Sequence, residues 1–571
     1  MKKFKFITTT LLLVCIFGIS KSNTLCDSKG LSDSMEIKID TLIAHMGLSS
    51  ETPGGVVGVI KNGRFTFLKA YGLANFDTKQ PNQPSTLFNL ASVSKQFAAA
   101  GILLLAKENK LSLKDDIRKY LPDFPDYGYT ITIENLIHHT SGIRSFDILR
   151  LMAGTLGLKE TQEEDYNLII RQKSLNFKPG EEHQYSNSGY ILLANIIEKT
   201  SGMKFGKFME EKIFRPIGMN HTFIYDNPDK IIMNRATGHT WGGDVKFKRS
   251  VDMDSPIFGP TNVYTCVQDF LSWDNNFYKN MLGKWDFGKE MSTTVTLGNG
   301  DTCNYAFGLE VSQYKGLKTI SHGGYSIDFT SQYLQIPSEK FAVVCLFNIA
   351  TDVNGLSYKI ADLYVKGNPH PDKASIQPEK ANVDSSVLKS YVGKYFDEKY
   401  WFEASITREG DHLVFDAPYQ GKFEIYPLSD TSFFATVADI KFIFHKDAKG
   451  EITKATIVQG NQKFYITYLG TNSYPLNAEK LSQYVGDYYC EDINVTYPVL
   501  FKDNKLYIRF PESTAQFYKI NVESEFISEH ADYFASPVSA VQFTRNPANE
   551  VSGFIIRDVG RARNLVFDKV K

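Results

Sequence analysis

The sequence sets a serine and a lysine three residues apart in "ASVSKQFAAAGILLLA", Ala91 to Ala106. Positions i and i+3 share a helix face, so the Ser92 hydroxyl and the Lys95 amine are expected side by side. Behind them Phe97 to Ala106 carries no charge, a run too short for a bilayer span and suited to a buried core helix. A hydroxyl at the N-terminus of such a helix lies where the backbone dipole favours developing negative charge. That placement suits a nucleophile. It suits an ordinary helix cap equally well.

Two further segments carry residues of catalytic type. In "FKPGEEHQYSNSGYILLANIIEKTSG", Phe177 to Gly202, helical periodicity runs from Ser188 to Thr200 with Gly202 as C-cap. Tyr185, Ser186 and Asn187 then fall in the preceding loop. Read singly, Asn187 is an N-cap and Tyr185 an aromatic staple. In "TISHGGYSIDF", His322 follows an apolar, strand-like approach and precedes Gly323 and Gly324. Two glycines after a strand permit close backbone approach to a ligand, and a histidine there can donate to a carboxylate or an oxyanion. Read alone, the triplet is a tight turn.

The elements that must position these residues are legible around them. "GGVVGVIKNGRFTFLKAYG" is expected to form a hairpin turning at Asn62-Gly63, and "TSQYLQIPSEKFAVVCLFNIA" a second one turning at Pro337 to Lys340. Strands at both ends with helical patterns between predict an α+β layer fold, its sheet closed by the two ends of residues 30–366. Three prolines and several polar residues mark 367–380 as a linker. Beyond it, short alternating runs rich in aromatic and β-branched residues predict antiparallel β structure. "LKSYVGKY" at Leu388 recurs as "LSQYVGDY" at Leu481, an offset of 93, and "DHLVF" answers "NKLYI" at the same offset. Two copies of one small β-barrel module are expected, at 381–472 and 473–571.

The whole chain bounds the function. At 571 residues it exceeds one ordinary core, and two to four domains are expected. With 42% apolar and 22% charged residues and a net charge of −1, there is no electrostatic case for nucleic acid or an anionic membrane surface. Residues 1–22 read as a secretory signal: Lys2, Lys3 and Lys5, an apolar stretch, then Ser20-Lys21-Ser22 as a small-x-small cleavage site. The protein is therefore expected to be exported, periplasmic or secreted, with no integral membrane segment once the signal is removed. Of six cysteines, Cys15 leaves with the signal and the other five are scattered, so no disulfide framework is expected. No His, Cys or Asp grouping has the spacing of a metal site, and neither metal nor cofactor is expected.

Taken in this order, the three segments resemble the active-site elements of the serine β-lactamase and penicillin-binding-protein superfamily, in its class C β-lactamase-like branch. Ser92-Val93-Ser94-Lys95 matches Ser-x-x-Lys, Tyr185-Ser186-Asn187 matches Tyr-x-Asn, and His322-Gly323-Gly324 matches the Lys- or His-led triplet. "ENLIHHTSGI", "IFRPIGMNHT" and "YAFGLEV" are similar to supporting segments of the branch, and the C-terminal repeats resemble the lipocalin-like modules of its D-aminopeptidase members. The resemblance implies a Ser92 nucleophile and an acyl-enzyme. It implies that Lys95 and Tyr185 take the serine proton together, the tyrosine pKa drawn down by the ammonium. Asn187 would orient Lys95 and the acyl amide. His322, Gly323, Gly324 and Tyr325 would bind substrate, with backbone N–H groups of Ser92 and Tyr325 as the oxyanion hole. Two departures stand out. Histidine replaces the lysine of class C β-lactamases, which moves weight from true β-lactamase activity toward peptidases. The usual Gly-Gly before "CVQDFLSW" is here "GPTNVYTC", Gly259 to Cys266.

The resulting expectation is an exported serine hydrolase acting on a small molecule or short peptide, foremost a peptide or D-amino-acid-containing amide in the manner of D-aminopeptidases and DD-carboxypeptidases. Behind it stand an esterase or acyltransferase, then a true β-lactamase or an inactive cell-wall-peptide sensor. The oligomeric state stays open.

Overall fold

The computed structural model describes residues 28–570 apart from 159–160, 243–245, 251–255, 327, 367–379, 398–401, 418–420, 438–439, 460–461, 472–477 and 531. The expected signal at 1–22, Cys15, Cys26 and all of the expected linker but Lys380 lie outside the described residues. Among the described residues no helix is long and apolar enough to cross a membrane, and Cys266, Cys303, Cys345 and Cys490 are buried free thiols.

Both expected hairpins form, and they meet. Asn62 (φ 52°) and Gly63 (φ 75°) make the left-handed pair of a two-residue turn between strands Gly55–Lys61 and Arg64–Tyr71. Strands Thr330–Ile336 and Phe341–Phe347 turn through a 3₁₀ segment at Pro337–Glu339, with Lys340 left-handed. Gly55–Lys61 pairs antiparallel with Phe341–Phe347, so the two ends of the domain close one six-stranded sheet. Its far edge is strand Glu310–Tyr314, which pairs with Leu317–Tyr325, the neighbour of Thr330–Ile336.

Both sheet faces are covered, which is why strands such as Phe341–Phe347 are apolar throughout rather than alternating. Helices Ser28–His45 and Val353–Tyr364 cover one face, packing Ile39, Ile43, Leu356 and Ile360 on Val57, Leu334 and Val343. On the other face Val56, Tyr333 and Val344 join the core built around helix Lys95–Lys107. Every residue of that helix from Lys95 to Leu105 is buried, as its uncharged run requires.

The C-terminal repeats fold into two closed eight-stranded antiparallel barrels. In each, the first strand pairs with the second and the last: Gly393–Asp397 in one, Gly486–Cys490 in the other. The repeated sequence makes a repeated contact. Tyr395 Oη–H donates to the Tyr391 carbonyl at 2.8 Å, and Tyr488 Oη–H to the Tyr484 carbonyl at 2.6 Å, satisfying a buried hydroxyl in each core.

Their attachments differ. The second barrel shares a continuous core with helix Phe146–Ala153 of the α+β domain through Ile148, Leu149, Leu151 and Met152. Arg144, fully buried, pairs with Asp492 at 2.6 Å and donates to the Asn564 carbonyl at 2.9 Å. Among the described residues, the first barrel's core is made of its own segment, Val383 to Tyr468.

Candidate active site

Ser92 sits in a 3₁₀ turn, Ala91–Ser94, that runs straight into the core helix. In a 3₁₀ turn residues i and i+3 eclipse, which brings Lys95 Nζ to 3.1 Å from Ser92 Oγ. Ala91 is held at φ 44°, a strained value for a side-chain-bearing residue, by its N–H donating to Asn89 Oδ1 at 2.8 Å. The strained residue is the immediate neighbour of the serine.

Lys95 is fully buried and donates a second hydrogen bond, to the Pro260 carbonyl at 2.9 Å. The "GPTNVYTC" segment that departs from the branch pattern thus supplies the lysine's other acceptor. It is pinned there because Val263 N–H donates to Ser94 Oγ at 3.1 Å and Leu90 N–H to the Val263 carbonyl at 2.9 Å. A backbone carbonyl has no side-chain signature, so nothing in the sequence announces it.

Tyr185 lies against this pair, its ring centroid 4.8 Å from Lys95 Nζ. Its hydroxyl is buried without a well-formed hydrogen bond, although Ser92 is near enough to draw the phenol's pKa slightly down. The helix after it starts one residue earlier than expected, spanning Asn187–Ser201, with Ser186 in the cap position and Gly202 left-handed at its end. The backbone N–H of Asn187 donates to Ser145 Oγ at 2.9 Å. Its side-chain amide makes no hydrogen bond to Lys95, so the orienting role expected for it has no contact behind it; Ser92 and Pro260 hold the amine instead. His139, from the "HHTSG" segment, does the positioning that single-residue reading missed. Its Nδ1 accepts the Ser186 N–H at 3.2 Å, and its ring lies 4.3 Å from that of Tyr185.

His322, Gly323 and Gly324 lie within strand Leu317–Tyr325 rather than in a turn after it. A Cβ on Gly324 would lie 2.2 Å from the Leu90 carbonyl oxygen and 2.2 Å from Ser331 Oγ. That position needs a glycine so that the strand can pack against the carbonyl that precedes the Ser92 turn. The strand outruns its neighbour: pairing with Glu310–Tyr314 ends at Ser321, so His322 to Tyr325 present an unpaired edge on that side. Ser92, Tyr185, His322, Gly323, Gly324 and Tyr325 line one cleft of about 550 Å³ with this edge. Tyr325 is exposed at its mouth.

Burial decides the protonation states. Desolvation pushes the Lys95 pKa well below its ordinary value, assisted by the charge of Arg561 and opposed by Asp147. Desolvation likewise pushes the Tyr185 phenol up. The resemblance implied a phenol drawn down by the ammonium; here burial is the largest influence on both groups and moves each toward its neutral form. His322 departs from expectation in the same way. Its Nδ1–H donates to the Gly323 carbonyl at 2.6 Å and its Nε2 accepts from Tyr305 Oη at 2.9 Å. Burial first, then the Lys95 charge, lowers its pKa to about 3. It is a neutral imidazole with both nitrogens engaged.

Spacing hid one cluster. His221, Cys266 and Asp269 bring ligand-type atoms within 4.8 Å of one another. Asp269 is already committed there: it accepts from the His221 N–H at 2.8 Å, His221 Nδ1 at 3.0 Å and Thr222 Oγ1 at 2.8 Å. Burial raises the Cys266 thiol to about 12, so a metal-binding thiolate is disfavoured.

Comparison with known proteins agrees with the geometry. Penicillin-binding protein 4* of Bacillus subtilis (strain 168) is 29% identical over 434 residues, covering 72% of this chain and 94% of its own. D-aminopeptidase of Gluconobacter oxydans (strain 621H) is 25% identical over 355 residues, covering 61% of this chain and 66% of its own. The octameric penicillin-binding protein homologue from Pyrococcus abyssi shares the fold, with a TM-score of 0.53 at 21% identity over 77% of this chain and 100% of that one. Residues 377–467, the first barrel, match a domain of unknown function, DUF3471. The Beta-lactamase family profile spans residues 39–363, more than half of the sequence. The chain belongs to the Beta-lactamase family, and it is a serine hydrolase of the β-lactamase and penicillin-binding-protein superfamily, enzymes that work through an acyl-enzyme.

Proposed function

We propose that the protein hydrolyses short amides whose acyl side carries a free amine, foremost D-amino-acid amides and peptides, through an acyl-Ser92 intermediate. Ser92 Oγ attacks the carbonyl while the neutral Lys95 amine accepts its proton, and the bond to the leaving amine then breaks. Tyr185, kept protonated by burial, hands a proton to that departing nitrogen and takes one back from the Lys95 ammonium, which restores the free amine before water attacks. The N–H groups of Ser92 and Tyr325 receive the oxyanion, and the unpaired edge from His322 to Tyr325 takes the substrate as an added strand. Water repeats the sequence on the ester.

The observation that carries the substrate reading is the charge of the cleft. With His322 neutral, none of the described residues lining the cleft is a cation that could pair with a substrate carboxylate. The formal charges among the described lining residues are the carboxylates of Glu310 and Asp352. Asp352 caps helix Val353–Tyr364, whereas Glu310 is exposed at the point where the unpaired edge begins. An ammonium fits that cleft better than a carboxylate does, which favours aminopeptidase-type over carboxypeptidase-type chemistry. Family membership is consistent with a periplasmic or secreted location, and we propose export through the N-terminal signal.

Intact-mass analysis after exposure to D-amino-acid amides, their N-acetylated forms, D-peptides, penicillins and short esters tests this. The expected result is an adduct on Ser92 from free-amine substrates, absent in Ser92→Ala. Glu310→Gln should raise KM for those substrates about tenfold and leave N-acetylated ones unchanged. An adduct formed only from esters or penicillins would replace the amidase reading.

A further inference from the structure

The hairpin between strands Val551–Asp558 and Arg563–Val570 of the second barrel reaches the candidate active site. The guanidinium carbon of Arg561, in its turn, stands 6.0 Å from the Tyr185 ring centroid. The residue is held at both ends. Its carbonyl accepts from Ser145 N–H at 3.0 Å and from Asn176 Nδ2 at 3.2 Å. Its guanidinium pairs with Asp147. Asp147 in turn accepts from Ser145 Oγ at 2.5 Å, the same oxygen that receives the Asn187 N–H. The adjacent Gly560 carbonyl accepts from Gln184 Nε2 at 2.9 Å. One short turn of a remote module thus touches Gln184 on one side of Tyr185 and reaches Asn187 on the other through Ser145.

We propose that Arg561 is a positioning residue of the active site: the second barrel places a permanent cation behind Tyr185, Asp147 holds and offsets it, and this pair sets the charge under which Ser92, Lys95 and Tyr185 work. The inference rests on the catalytic roles proposed above for those three residues. The Lys95 amine lies on the same ring, so the two cations are no more than roughly 11 Å apart, near enough to move a pKa by about one unit at a protein-like dielectric. The other ionisable groups around Lys95 and Tyr185 are His139, Tyr190, Tyr305, Glu310 and His322. Burial holds both histidines neutral and both of those tyrosines protonated. Glu310, its pKa raised by burial, faces from the cleft side. Beside Glu310, the charges that act on Tyr185 are Arg561 and Asp147, and the same two act on Lys95.

The sign follows. A cation disfavours the Lys95 ammonium and so favours the free amine that accepts the serine proton. Arg561→Gln removes it and leaves the Asp147 carboxylate, so the acid limb of kcat/KM should move up by about half to one pH unit. Asp147→Asn leaves the cation unopposed, so its limb should move down. Arg561→Lys should stay near wild type. The experiment is kcat/KM from about pH 5 to 10 for all four proteins, on a substrate found by the mass screen, with acylation of Ser92 followed in parallel. Opposite displacements in R561Q and D147N support the proposal; a purely structural role would move both the same way. Displacement in one direction, or none, with Ser92 still acylated, overturns it. Should R561Q fail to fold, D147N decides by its sign. Failure of wild type to acylate Ser92 on any substrate would sink the proposed function instead.

Discussion

The two barrels began as one sequence pattern and ended in different relations to the enzyme. Both close from eight strands, and both repeat the same tyrosine contact at matching positions. Among the described residues, the first builds its core from its own side chains. The second fuses its core with helix Phe146–Ala153, buries the Arg144–Asp492 pair at the seam, and sends Arg561 to Tyr185. A shared fold therefore says little about a shared role. What separates them is a few residues on the partner surface: Arg144 and Asp147 have counterparts in the second barrel at Asp492 and Arg561.

Breaking the chain tests the contrast most severely. Truncation after Gly470 removes the second barrel and exposes Ile148, Leu149, Leu151 and Met152 to water. Ser92 labelling by an acylating probe should be lost, and the protein should aggregate. Excising 381–470 instead removes a module whose first and last strands pair, so its ends lie together. Labelling should persist there, and its loss would erase the distinction between the barrels.

Smaller changes sharpen it. Arg144→Met strands Asp492 as a buried, unpaired carboxylate and should cost about 3–5 kcal/mol in denaturant unfolding, with activity and barrel signals lost together. Leu149→Ala, in the shared core, should cost about 2–5 kcal/mol and lower the midpoint of both units. Phe433→Leu, in the first barrel's core, should unfold that barrel alone and leave Ser92 labelling unchanged. The smallest effect is expected at the contact between barrels, where the Phe396 and Tyr533 rings lie 6.2 Å apart. Phe396→Ala should cost about 1 kcal/mol or less there, measured by the same unfolding curves.

Much of this architecture was legible in the sequence because it rests on short-range rules. Asn62-Gly63 accepts the left-handed turn that joins two strands, and an uncharged run behind Lys95 can only be a buried helix. The repeat at Leu388 and Leu481 announced two like modules. The reading slipped where the partner was a backbone or lay far along the chain. Gly324 packs on the Leu90 carbonyl; the lysine's second acceptor is the carbonyl of Pro260; His139 accepts the Ser186 N–H.

The sequence by itself determined which groups stand next to one another locally: a serine and a lysine three residues apart share one side of a turn in any fold that keeps the turn. Only the tertiary structure decided their charges. Burial strips water from Lys95, Tyr185 and His322, and the cost of an unsolvated charge moves each toward its neutral form, the amine and the imidazole downward and the phenol upward. The Arg561–Asp147 pair belongs to the same level, since its members are 414 positions apart in the chain. Spacing along a sequence carries no information about electrostatics through space.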